Sequence, residues 1–235
     1  MAQWVNAPLD GRGLGAGVNR LGFALHVTGP AAVDRAVFGT IPSVWLQQRL
    51  VDGSPHWYDA VAAPVYATHF VFIPIVTGVL WFRRRERFAG WLTAVLTFTV
   101  VGVSGYIAYP AAPPWLASRD GAIGRVTRIS DLGWDYLHLH PLAALTGSGQ
   151  HASNPVAAMP SLHAGSALLI TLALWPLASK LWRVALVCYV LLMAGVLVYT
   201  GEHYAVDVAA GWLVAAVGFA AGAAVRPGRP PPTRG

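Results

Sequence analysis

Charge is what this sequence has least of. Only 11% of its 235 residues are Asp, Glu, Lys or Arg, against 55% apolar ones, and the mean hydropathy is +0.52. Soluble domains carry roughly 25% charged residues, so a soluble globular chain is excluded and an integral membrane one expected. Cysteine is almost missing too. Cys188 stands alone inside an apolar run, which excludes an intramolecular disulfide and any cysteine-based metal site. The first residues lack the basic-then-apolar order of a cleaved signal peptide, so the mature chain is expected to begin near Met1. The net charge of +6 could suggest nucleic acid, yet the basic residues fall in short clusters between apolar runs, as beside membrane spans. No nucleic-acid partner is expected.

The apolar residues that are present fall into five runs, each near the roughly 20 residues a spanning helix needs. They cover 60–82, with His69 inside; 88–109, without charge; 156–178, with His163 near its start; 184–201; and 204–225, with Asp207. The last two follow so closely that they must form a tight hairpin around Gly201, Glu202 and His203. The N-terminal stretch is less regular. Residues 21–33 are short and broken by Gly29 and Pro30, and 36–51 include Pro42, Gln47, Gln48 and Arg49; this region reads as interfacial, re-entrant or a sixth span. The expected fold is an all-α polytopic bundle with five clear spans and a sixth N-terminal helix. It divides into an N-terminal interfacial or re-entrant helical region 1–57, a catalytic bundle 58–225 and a disordered cytoplasmic tail 226–235.

Orientation follows from the short connections. Arg83, Arg84, Arg85, Arg87, Lys180, Arg183, Arg226, Arg229 and Arg234 fall on one side, which should be cytoplasmic. The 110–155 connection on the other side balances Arg119, Arg125 and Arg128 with Asp120, Asp131 and Asp135. That assignment puts His163 and His203 at the same, non-cytoplasmic face.

Asp207 follows His203 by four residues, and a helix starting at or before the histidine stacks the two on one face. The carboxylate can then accept the hydrogen bond of one imidazole nitrogen, fixing the tautomer and raising the basicity of the other. This is how a histidine nucleophile is prepared. Pro160 in the first turn of the third run would leave N–H groups and a helix dipole free for an anion. Ser161 adds a hydroxyl donor, and His163, one turn in, can protonate a leaving oxygen. An acid inside a span is functional by default, which raises Asp207 and both histidines above interfacial residues. His69 lacks such support and reads as a packing or hydrogen-bonding residue, and His138 and His140 as loop histidines.

Three motifs resemble the type 2 phosphatidic acid phosphatase superfamily, and within it the branch related to inositol phosphorylceramide synthase. Pro160-Ser161-Leu162-His163 resembles that branch's second motif. Tyr199-Thr200-Gly201-Glu202-His203-Tyr204-Ala205-Val206-Asp207 resembles the third, and Tyr109-Pro110-Ala111-Ala112-Pro113-Pro114 the branch's Tyr-Pro-x-x-Pro-Pro element. The resemblance runs over residues 58 to 225. It implies a six-helix bundle working without metal or cofactor, with His203 as the nucleophile forming a phosphohistidine, Asp207 as its orienting partner and His163 as the acid. The superfamily's third-motif arginine is replaced by Leu197, and its first-motif Lys and Arg-Pro are absent. The phosphate-neutralising cation must then come from the outer connection, Arg128 first and Arg125 second.

The expected function is a membrane lipid phosphatase or phosphotransferase acting on a phosphorylated lipid of the phosphatidate, prenyl phosphate or phosphoinositide type. Its active site should face the extracytoplasmic side, in the plasma membrane. Two rival classes use the same residues: a haem-binding electron carrier ligated by two of His69, His163 and His203, and a lipid or anion transporter.

Overall fold

The structure is a computed structural model and describes residues 24–152 and 154–225. Two short helices, α1 (Gly29–Phe38) and α2 (Pro42–Leu50), precede the long α3 (Trp57–Arg83) and α4 (Arg85–Ala108). The outer connection holds α5 (Pro114–Arg119), α6 (Leu132–Tyr136) and α7 (His140–Ala152). Then come α8 (Leu162–Leu174, prolonged by a 3-10 turn at Trp175–Leu177), α9 (Lys180–Tyr199) and α10 (Ala205–Ala223). The chain is an all-α polytopic membrane bundle. Helices α3, α4, α9 and α10 are long and apolar enough to cross a bilayer, and α8 with its 3-10 turn is a shorter apolar helix.

Large apolar side chains cover the lipid-facing surfaces, among them Val100 on α4, Leu181 on α9 and Leu213 on α10. Lipid is as apolar as these side chains, so burial alone cannot hold the helices together and close packing must. Small residues supply it. A Cβ on Gly218 would lie 2.7 Å from the Ala94 carbonyl oxygen and one on Gly222 2.4 Å from that of Gly90, so α10 and α4 touch backbone to backbone. Gly211 brings α10 equally close to the start of α8, where a Cβ would meet the Ser161 carbonyl oxygen at 2.1 Å.

The α9–α10 hairpin closes as its sequence requires. Gly201 adopts φ +76°, the left-handed region that favours glycine. The N–H groups of Glu202 and His203 then turn back to donate to the Leu197 carbonyl at 3.1 and 3.2 Å.

The N-terminal region, read as interfacial, re-entrant or a sixth span, forms two helices of ten and nine residues; at about 1.5 Å per residue each is half a bilayer core. They pack over the hairpin instead. The third apolar run is helical only from Leu162, because Pro155 and Pro160 break the segment before it. Its first turn is consequently recessed, with His163 beside Tyr66, His69 and Phe70, about 14–20 Å along α3 from Trp57. Finally α10 starts at Ala205, after His203, not at or before it. The expected Met1 start and the disordered tail 226–235 lie outside the described residues.

Candidate active site

A cavity of about 1150 Å³ opens among α3, α4, α7 and the outer connection. His163, His203, Arg128 and Glu202 line its polar end. Its flank is made by Phe70 and Val71 of α3 and Val103 and Ile107 of α4, which are also exposed on the bundle surface.

His203 sits in the turn before α10. Its Nδ1 lies 2.9 Å from the Ala158 carbonyl oxygen and 3.7 Å from Asp207 Oδ2. A carbonyl only accepts, so Nδ1 carries the hydrogen and Nε2 keeps its lone pair. The expected carboxylate hydrogen bond is thus made by a backbone carbonyl, with the fully buried Asp207 carboxyl behind the same nitrogen. The reason is the helix start: Asp207 Oδ2 is occupied at 2.8 Å by the Tyr204 N–H, an N-terminal cap that helical stacking with His203 would have forbidden.

His163 occupies the first turn of α8, walled by Tyr66 (ring centroids 4.8 Å) and His69 (4.0 Å). Its Nε2 is buried without a hydrogen-bond partner, and its ring lies 5.9 Å from that of His203. His69 does more than pack at a distance. Its Nδ1 is 2.8 Å from Ser166 Oγ, which in turn donates to the His163 carbonyl at 2.9 Å. Rings 4.0 Å apart leave no room for a macrocycle, so this pair gives the haem reading no support.

Ser161 is the N-cap of α8. Its hydroxyl accepts from the Ala164 N–H at 3.3 Å, it is fully buried, and it does not line the cavity. The first turn is capped by this side chain rather than presented open. Pro160 lies before the cap, outside the helix.

The two arginines part company. Arg125 is exposed and away from the cavity, whereas Arg128 lines it. Gln47 of α2 fixes the strand carrying Arg128 by accepting from the Thr127 N–H and donating to the Thr127 carbonyl, both at 2.8 Å. The Ile129 N–H adds a bond to the Thr200 carbonyl at 3.3 Å. Arg128 then donates to Glu202 through Nε at 2.8 Å and Nη2 at 3.0 Å, under the face of Trp115. Burial works against the charged guanidinium, but the hydrogen bonds and charge of Glu202, with Tyr66 and Asp131, more than offset it and hold the Arg128 pKa above its ordinary value.

Three buried acids escaped the sequence reading. Glu202 seemed only a hairpin-tip acid, and Asp34 and Asp59 were not singled out. Both Asp34 oxygens accept the first N–H groups of α10, from Ala205 and Val206, at 2.9 Å each. No local spacing signals either contact, since Asp34 reaches across 171 residues of chain.

A sequence model described as the PAP2 superfamily matches residues 31–221. The chain belongs to the PAP2 superfamily. It is 27% identical over 173 residues to the phosphoinositol dihydroceramide synthase of Bacteroides thetaiotaomicron. That alignment takes in 70% of this chain but 56% of the relative, so the chain spans about half the length of that protein. No solved structure matches it. Superfamily membership and the long apolar helices make this a membrane protein of the PAP2 superfamily.

Proposed function

We propose that this PAP2-superfamily enzyme cleaves a phosphorylated lipid through a phosphohistidine on His203. The observation that carries the reading is that His203, His163 and Arg128 line one cavity whose flank is apolar and faces the membrane. A lipid enters with its chains against Phe70, Val71, Val103 and Ile107 and its phosphate toward the histidines. His203 Nε2 attacks phosphorus as the bond to the leaving oxygen breaks, and His163 gives that oxygen a proton. Water or an alcohol then attacks the phosphohistidine, returning a proton to His163 while the P–N bond breaks. Asp207 and the Ala158 carbonyl hold the imidazole and favour its cationic form; Arg128 steadies the phosphoryl oxygens. Neither step draws on a metal or cofactor in this proposal.

The relative's name speaks of a phosphoinositol group and a dihydroceramide, which favours transfer to a lipid alcohol over hydrolysis. The site faces the extracytoplasmic side of the plasma membrane, because the arginine-rich connection Arg83–Arg87 lies at the opposite end of α3 and α4.

The test is a screen of purified protein for phosphate release or head-group transfer from phosphatidate, prenyl phosphates and phosphatidylinositol, with and without a ceramide-type acceptor. His203→Ala should abolish turnover and the acid-labile phosphoenzyme. Full activity in that variant would sink the mechanism.

A further inference from the structure

Arg128 is the one cation lining the cavity among the described residues, and it is already engaged. A guanidinium has five N–H donors in a planar fork. Glu202 takes the Nε edge, closing a two-bond pair at 2.8 and 3.0 Å. Its other donors lie beside the neutral Tyr66 hydroxyl, which an entering oxyanion can replace while Glu202 stays in place.

Glu202 is not free to swing away. Ser130 Oγ donates to its Oε1, Gln150 Nε2 lies 3.4 Å from the same oxygen, and the side chain is 7% exposed. Any anion that binds Arg128 therefore does so beside a fixed carboxylate. A phosphomonoester brings close to two negative charges at neutral pH; a phosphodiester brings one. The repulsion from Glu202 falls on each added charge and is weakly screened inside the bundle.

On this basis, and resting on the phosphoryl-transfer reading above, we propose that Glu202 is a specificity-determining residue: by fixing one edge of Arg128 and placing a carboxylate beside the other, it selects singly charged phosphodiester lipids against doubly charged phosphomonoesters. This is specificity by an unfavourable contact with the wrong substrate. It gives Glu202 a role distinct from His203, since it sorts substrates without touching the bond that breaks.

The experiment compares kcat/KM for phosphatidate and for phosphatidylinositol with matched acyl chains, using wild type and Glu202→Gln. The glutamine keeps the shape and an acceptor for Arg128 and removes the charge. Wild type should favour the diester, and Glu202→Gln should raise the monoester-to-diester ratio by about tenfold or more, chiefly through KM for the monoester. A ratio unchanged within about twofold, or shifted toward the diester, overturns the proposal while leaving His203-dependent turnover intact.

A second measurement needs neither the variant nor turnover. Thermal stabilisation of the wild-type protein is read against inorganic phosphate, mostly dianionic at mildly alkaline pH, and against dimethyl phosphate, a monoanion. Tighter binding of dimethyl phosphate supports the proposal; tighter binding of inorganic phosphate overturns it. If wild type turns over no donor and His203→Ala behaves identically, the catalytic reading falls, and this anion comparison still decides the role of Glu202.

Discussion

His69 and His163 stack with ring centroids 4.0 Å apart, and Ser166 ties the first ring to the backbone of the second. A proton donor that must meet one leaving oxygen gains from such a wall, because misplacement by an ångström costs rate steeply. His69→Ala should lower kcat by on the order of 10- to 100-fold with a small change in KM, and His69→Phe, which keeps the ring, by less. Steady-state kinetics on the two variants decide it; equal losses would show that the Ser166 bond, and not the ring, matters.

Asp34 holds the first turn of α10 from outside the helix. Asp34→Ala strands two partly buried N–H groups and should cost up to about 2–6 kcal/mol, at about 1–3 kcal/mol for each unsatisfied group. A melting curve in detergent would show this as a clear drop in midpoint. Unchanged stability would mean that water or another side chain replaces the carboxylate.

The same residue gives a pH dependence. Burial raises the Asp34 pKa above the ordinary 3.8, against the two backbone hydrogen bonds, which favour the anion. The folded state then binds this proton more tightly than the unfolded one, so Asp34's share of stability is full below the unfolded value and is lost as pH rises through the folded value. The melting-point advantage of wild type over Asp34→Asn should therefore be larger at about pH 4 than near neutrality. An advantage that grows with pH would reverse the sign.

Arg128 is held above its ordinary pKa by Glu202, so the cation persists throughout the working pH range. Loss of the Arg128 charge should contribute no alkaline limb to the wild-type pH–rate profile, whereas Arg128→Lys, with an ordinary pKa of about 10.4, should introduce one and weaken bidentate binding. Superimposable profiles would take Arg128 out of the phosphate site.

At the α8–α10 crossing there is no space for a side chain on Gly211. Gly211→Ala should destabilise by about 1–3 kcal/mol and Gly211→Val by more, since backbone must move. Both should also lower activity, because the Ser161 carbonyl they would displace lies two residues before His163. Retained melting point and rate in the valine variant would show that the crossing yields without disturbing the site.

Hydropathy alone located the spanning helices, because a bilayer demands apolar length whatever the neighbours. Arginine placement gave the expected orientation, and Gly201 the turn of the last hairpin, because φ +76° is a local requirement. The histidines and Asp207 stood out because ionisable groups are costly at that depth. Boundaries read less well. The prolines before Leu162 shortened α8, and the N-terminal helices proved too short to span, since their role is to pack on the hairpin and not to face lipid.

The sequence by itself determined that this is an apolar helical bundle and singled out His163, His203 and Asp207 as its candidate chemical residues, since composition, spacing and motif are local properties of the chain. Only the tertiary structure decided what surrounds them. Gln47 positions the Arg128 segment, Glu202 occupies Arg128, Asp34 caps α10 and His69 backs His163. Each is a contact between helices far apart in sequence, formed by close packing and by buried polar groups that must find partners inside the bundle.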